Sequence, residues 1–257
     1  MNSVAAVITL TGVSIAAIYP LGLWCQRKVP VAGLYYQQLM VAALAGVVGV
    51  ALLWLHDTEF HLRLSGIIWL IALFSTIAFY WNRNRVHPWI ISISSVFGLI
   101  VFYKVSAILL FPSELFFIFQ ILTTGILGLF FLLLGDVKKI PSSTELAVIV
   151  RPLVTLLFFL LTARAVWISY SIIWGQFTQV PEMLNWLDYI TKMQGYLPAF
   201  ATLFGVVLPI FSLLLIISQI KRGYRRSAEL LLYPLVLSVL LAEIIFRFYL
   251  YQYGIIL

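Results

Sequence analysis

Polar and apolar positions along the chain alternate on a long scale: extended apolar runs are separated by short polar joints. A helix needs roughly 20 mostly apolar residues to cross the hydrocarbon core of a bilayer. Eight runs approach or exceed that length, at 4–24, 33–55, 66–82, 89–111, 115–135, 147–175, 197–219 and 228–251, with 66–82 the shortest. Pro30 and Gly33 part the first two, Asn82 to Pro88 the third and fourth, and Pro112 the fourth and fifth. Ser142-Ser143-Thr144-Glu145 has the form of a capping box opening the sixth. Lys221 to Arg226 precedes the eighth. The longest joint, 176–196, mixes Pro181, Trp186, Leu187 and Tyr189 with Glu182 and Asp188, which suits a short helix lying at the interface. No sequence repeat is evident.

The expected fold is therefore all-α: a polytopic membrane helix bundle of about eight transmembrane helices, formed by residues 1–257 as a single integral membrane domain. Composition supports this. Apolar residues make up 63% of the chain and charged residues 10%, against about a quarter charged in a soluble domain. The first run lacks a basic leader and a cleavage site, so it reads as a retained span. Cys25 is the one cysteine, which excludes an internal disulfide and a cysteine-ligated iron–sulfur cluster within the chain.

Charge then supplies an orientation. The net charge of +7 is carried mostly in the joints, as expected for anchoring at a membrane surface rather than for binding nucleic acid. The odd joints hold ten basic residues: Arg27, Lys28, Arg83, Arg85, Lys138, Lys139, Lys221, Arg222, Arg225 and Arg226. The even joints hold two, Arg63 and Lys192. The positive-inside rule places the odd joints in the cytoplasm and both termini on the non-cytoplasmic side of the cell (inner) membrane.

Four basic residues fall inside spans: Lys104, Arg151, Arg164 and Arg247; the acid Glu243 joins them. Unpaired charge in hydrocarbon is costly, so each is a candidate site residue. Arg151 lies near the inner end of its helix and reads as an anchor that snorkels to the surface. Lys104, Arg164, Glu243 and Arg247 all fall roughly 20–28 Å from the inner boundary at the helical rise per residue. His56 closes the second run at its outer edge. Five ionisable residues from four helices thus share the outer half of the membrane. Glu243 and Arg247 stand four apart, with the acid first, the favoured order for an ion pair on one helical face.

Such a cluster suits a quinol, which needs an amphipathic slot near one interface and an acceptor for its hydroxyl proton. His56, beside Asp57 and Glu59, has the right acidity for that acceptor. His61 and His87 read as ordinary joint residues. No histidine lies deep in a span, so no haem is expected, and no metal-ligand spacing, phosphate loop or nucleophile–base motif is present.

Three segments resemble the membrane-anchor subunit of the dimethyl sulfoxide reductase family of molybdoenzymes (the DmsC type). LLAEIIFRFYLY resembles that family's closing helix, in which a Glu and an Arg stand four apart, matched by Glu243 and Arg247. GVVGVALLWLH resembles its glycine-containing helix ending in a quinol-site histidine, matched by His56. SVFGLIVFYKVSAIL and FPSELFFIFQILTTGILG have a similar rhythm. The segment after His56, Asp57-Thr58-Glu59-Phe60, differs from the family's Leu-Gly and Pro, and the third run lacks its Ser-rich stretch and Glu. The resemblance implies eight helices with both ends outside and a non-catalytic anchor for anaerobic respiration. Menaquinol or ubiquinol would bind transiently at His56, Lys104, Arg164, Glu243 and Arg247. The implied partners are a four-cluster iron–sulfur subunit and a molybdopterin catalytic subunit. Two other readings fit the residues: a small-molecule or ion transporter coupled through the buried charges, and a purely structural subunit of a larger membrane complex.

Overall fold

A computed structural model describes residues 3–23, 34–56, 58–83, 87–109, 114–139, 143–174 and 196–253. These residues form eight helices, each long and apolar enough to span a membrane. They are α1 (Ser3–Gly22), α2 (Leu34–Leu55), α3 (Phe60–Tyr80), α4 (Pro88–Leu109), α5 (Glu114–Lys139), α6 (Ser143–Trp174), α7 (Tyr196–Lys221) and α8 (Arg225–Tyr253). The fold is the expected all-α polytopic membrane bundle, with no strand among the described residues. Cys25, Arg27, Lys28, Asp57, Arg85, Ser142 and the joint 176–195 lie outside the described residues.

The central helix is α1, which packs against α2, α4, α5 and α8. Its sequence explains the position: no charge interrupts it, and it is apolar on every side, as a fully surrounded helix must be. Glycine brings α2 close. A Cβ on Gly12 would lie 2.6 Å from the Ala45 carbonyl oxygen, and one on Gly49 would lie 2.8 Å from Val13 Cγ2. Small residues at facing positions let two backbones approach where lipid offers no hydrophobic drive to associate.

A second group, α5 to α8, adjoins the first through α5 and α8, and α6 and α7 complete it. α7 is not uniform. Residues Leu203–Val207 form a π-turn, closed by the Leu208 N–H donating to the Leu203 carbonyl. Pro209 follows it and has no N–H to offer the Gly205 carbonyl, which favours local widening of the turn. Ser238 of α8 points its hydroxyl at the Phe204 carbonyl (3.1 Å) and at Leu235 of its own helix (2.8 Å).

Several boundaries differ from expectation, and two of them show why. α3 begins at Phe60 rather than 66, so His61 and Arg63 are helical and not part of a joint. Arg63 lies over the Trp54 ring, 5.1 Å from its centroid, which lets a charge sit in the first turn at the membrane edge. α5 runs to Lys139 rather than stopping at 135. Its end is held from α8, where Arg225 Nε donates to the Val137 carbonyl at 2.6 Å and Nη2 donates to that of Lys138. These are carbonyls that a helix C-terminus leaves without a partner.

Candidate functional site

Three of the five candidate residues meet. Arg164 on α6 reaches Glu243 on α8, with Nη1 donating to Oε1. Arg247, one turn further along α8, brings Nε to 4.0 Å from Glu243 Oε2, an ion-pair distance too long for a hydrogen bond. Arg247 Nη2 donates to Thr124 Oγ1 on α5. The Thr124 hydroxyl donates in turn to the Gln120 carbonyl at 2.7 Å. The Arg164 guanidinium also lies over the Phe246 ring, 4.4 Å from its centroid. One network therefore ties α5, α6 and α8 together.

The network is enclosed: Arg164 is 5% exposed, Glu243 1% and Arg247 4%. Its apolar wall is a small separate cluster that includes Ile168, Ala201, Val206, Ala242 and Phe246. The π-turn of α7 forms part of this wall. A Cβ on Gly205 would collide with that of Ala242, so glycine is what allows α7 to pass directly beside the turn carrying Glu243.

Two guanidiniums face one carboxylate, so the enclosed group carries a net positive charge. It also holds polar atoms with no hydrogen-bond partner among the described residues: Arg164 Nε and Nη2, Glu243 Oε2, and Arg247 Nε and Nη1. One turn from Thr124, on the same face of α5, the buried Gln120 amide is likewise without a partner. Unpaired donors in a medium of low polarity are costly. The arrangement can accept a proton at Glu243 Oε2 and donate to an oxygen at the arginines.

The other two candidates lie elsewhere. Lys104 is exposed on α4, which packs against α1 and α3, and it makes no hydrogen bond or ion pair among the described residues. His56 is half-buried in the turn after α2; its backbone N–H donates to the Leu52 carbonyl at 3.2 Å, and its imidazole has no hydrogen bond among the described residues. His61 is exposed at the start of α3. His87 pairs through its backbone with the Tyr80 hydroxyl, accepting at 2.9 Å and donating at 2.8 Å.

Sequence reasoning missed a second buried acid. Asp136 is 0% exposed near the end of α5, within electrostatic reach of Tyr19 and Tyr35. Gln38 of α2 packs against neighbouring Gly135. Thr124 was missed too, since a threonine in an apolar run carries no charge to mark it.

Fold and network together define a polytopic helical membrane protein with a buried, charge-unbalanced site between three helices. Comparison with protein-family models, curated proteins and solved structures finds no match to this chain.

Proposed function

We propose that the chain is the quinol-interacting membrane anchor of a molybdenum/iron–sulfur oxidoreductase, and that its ligand meets the Arg164–Glu243–Arg247 network. The observation that carries this reading is the enclosed excess positive charge, with an unoccupied acceptor on Glu243 and unoccupied donors on both arginines. The resemblance of the α2 and α8 sequences to the DmsC type adds the partners. Menaquinol or ubiquinol would be oxidised near the outward face, and electrons would leave to a docked four-cluster iron–sulfur subunit and then to a molybdopterin subunit. In this chain, Glu243 takes the hydroxyl proton while Arg247 and Arg164 hold the ligand oxygens.

A ligand reaching so closed a site needs a wall that can move. The π-turn of α7 supports that, because wide turns disturb the regular ladder and are frequent at functional sites.

A purely structural role is favoured by one feature, the ion pair that bridges α6 to α8 with almost no exposure. The two readings separate in Glu243→Gln, which keeps the shape and hydrogen-bonding capacity but removes the charge and the proton acceptor. The membrane complex is isolated in mild detergent and its quinol oxidation measured. The proposal expects an assembled complex whose rate falls at least tenfold. An assembled complex with an unchanged rate leaves the network as scaffold alone.

A further inference from the structure

At the opposite end of α6 from the charged network, a groove of about 560 Å³ runs between α6 and α7. Its walls are apolar, with Val154 and Phe158 on one side and Leu214 and Ile217 on the other. Two cations, Arg151 and Lys221, line the same groove. The helices run antiparallel here. Arg151 and Phe158 on α6, and Lys221 and Leu214 on α7, are each seven residues apart, so the basic end and the apolar floor are separated by about 10 Å along the axes. Both cations are exposed, and neither makes an ion pair among the described residues. A shallow apolar strip of the α6 surface flanks Arg151 on its other side, formed by Pro152, Leu156 and Phe159. Arg151 and Thr155 border both.

A ridge bearing one cation, with a second cation across the groove and a shallow apolar strip on the ridge's other side, suits a two-chain lipid with an anionic head. We propose that this surface binds one anionic phospholipid, its phosphate held by Arg151 and Lys221, with one acyl chain lying in the groove and the other along the apolar strip of α6. Charge argues for this occupant over a neighbouring helix, which would have to bring its own carboxylates to a membrane-facing surface. The position agrees, since the basic-residue count assigns this end to the cytoplasmic side, where basic pockets between helices meet lipid headgroups. Arg151 then has a use beyond reaching water: it is half of a phosphate clamp.

The test is native mass spectrometry of the full chain in mild detergent, offered equimolar phosphatidylglycerol and phosphatidylcholine. The expected result is one retained phosphatidylglycerol per chain. In the Arg151→Gln, Lys221→Gln double variant its preference over phosphatidylcholine falls about tenfold or more, since each basic residue near the surface contributes to binding an anionic head. Arg222→Gln with Arg226→Gln removes equal charge from the same end outside the groove, and the preference stays. Leu214→Trp fills the groove and lowers retention with both cations intact. Millimolar inorganic phosphate leaves the bound lipid in place, which distinguishes a lipid site from a phosphate site. Equal retention of both lipids, an equal loss in the Arg222/Arg226 control, or displacement by free phosphate would each overturn the proposal. So would a lipid-free chain that runs as a dimer until Leu214→Trp separates it, because the groove would then belong to a second copy.

Discussion

Glu243 is the residue on which the buried network depends, because it alone offsets two guanidiniums. Glu243→Ala strands Arg164 as well as Arg247, and loss of one side of a buried pair costs about 3–5 kcal/mol. The expected outcome is a large drop in melting temperature in detergent. Replacing all three charged residues with leucine restores most of that loss, because an apolar core of similar volume carries no desolvation cost. A double-mutant cycle between Arg164→Gln and Glu243→Gln should show coupling of about 1 kcal/mol or more, and additivity would mean the pair does not form. At this scale the sequence is partly legible. A charge inside an apolar run stands out, so Arg164, Glu243 and Arg247 are marked by their surroundings in the chain alone. Lys104 stands out equally, but depth along a helix does not tell which way a side chain faces, and it lies outside the network on an exposed surface. Thr124 carries no such mark, because membrane threonines usually bond to their own helix, as Thr123 does to Gln120. Asp136 is concealed because the Gly-Asp-Val-Lys-Lys run around it has the composition of a joint.

Among the elements, α7 is the one whose irregularity bears on the site. Its π-turn lies where Pro209 withholds an N–H and where Gly205 passes against Ala242. Gly205→Ala forces α7 and α8 apart, and overpacking of this kind costs about 1–3 kcal/mol. Ala242→Gly in the same chain makes the room again, so the double variant should recover the stability that the single one loses in detergent melts. The eight helices themselves are legible from run length, since the bilayer sets a minimum that the joints respect. Their ends are less so. α3 starts six residues early because Arg63 is accommodated over Trp54, and α5 runs past its apolar run because Arg225 caps its last carbonyls. Both depend on partners from other helices, which a linear reading does not hold.

For the molecule as a whole, the bundle centres on α1, a helix free of charge, and its two groups meet at α5 and α8. The basic-residue count gives it an orientation that a single thiol can test. Cys25 lies in the first joint, assigned to the cytoplasm. A membrane-impermeant maleimide should leave it unlabelled in intact cells and modify it after permeabilisation; labelling in intact cells would invert the topology and move the charged network to the inner half.

The account turns on whether the Arg164–Glu243–Arg247 network receives a quinol-like ligand. The most direct measurement is an equilibrium titration of the purified full-length chain in detergent with a hydroxyquinoline analogue of quinol. It is repeated on Glu243→Gln and, as a control outside the network, on Lys104→Gln. The account predicts saturable binding at one site, weakened at least tenfold by Glu243→Gln and unchanged by Lys104→Gln. Absence of saturable binding, or equal affinity in the wild-type chain and Glu243→Gln, would contradict it.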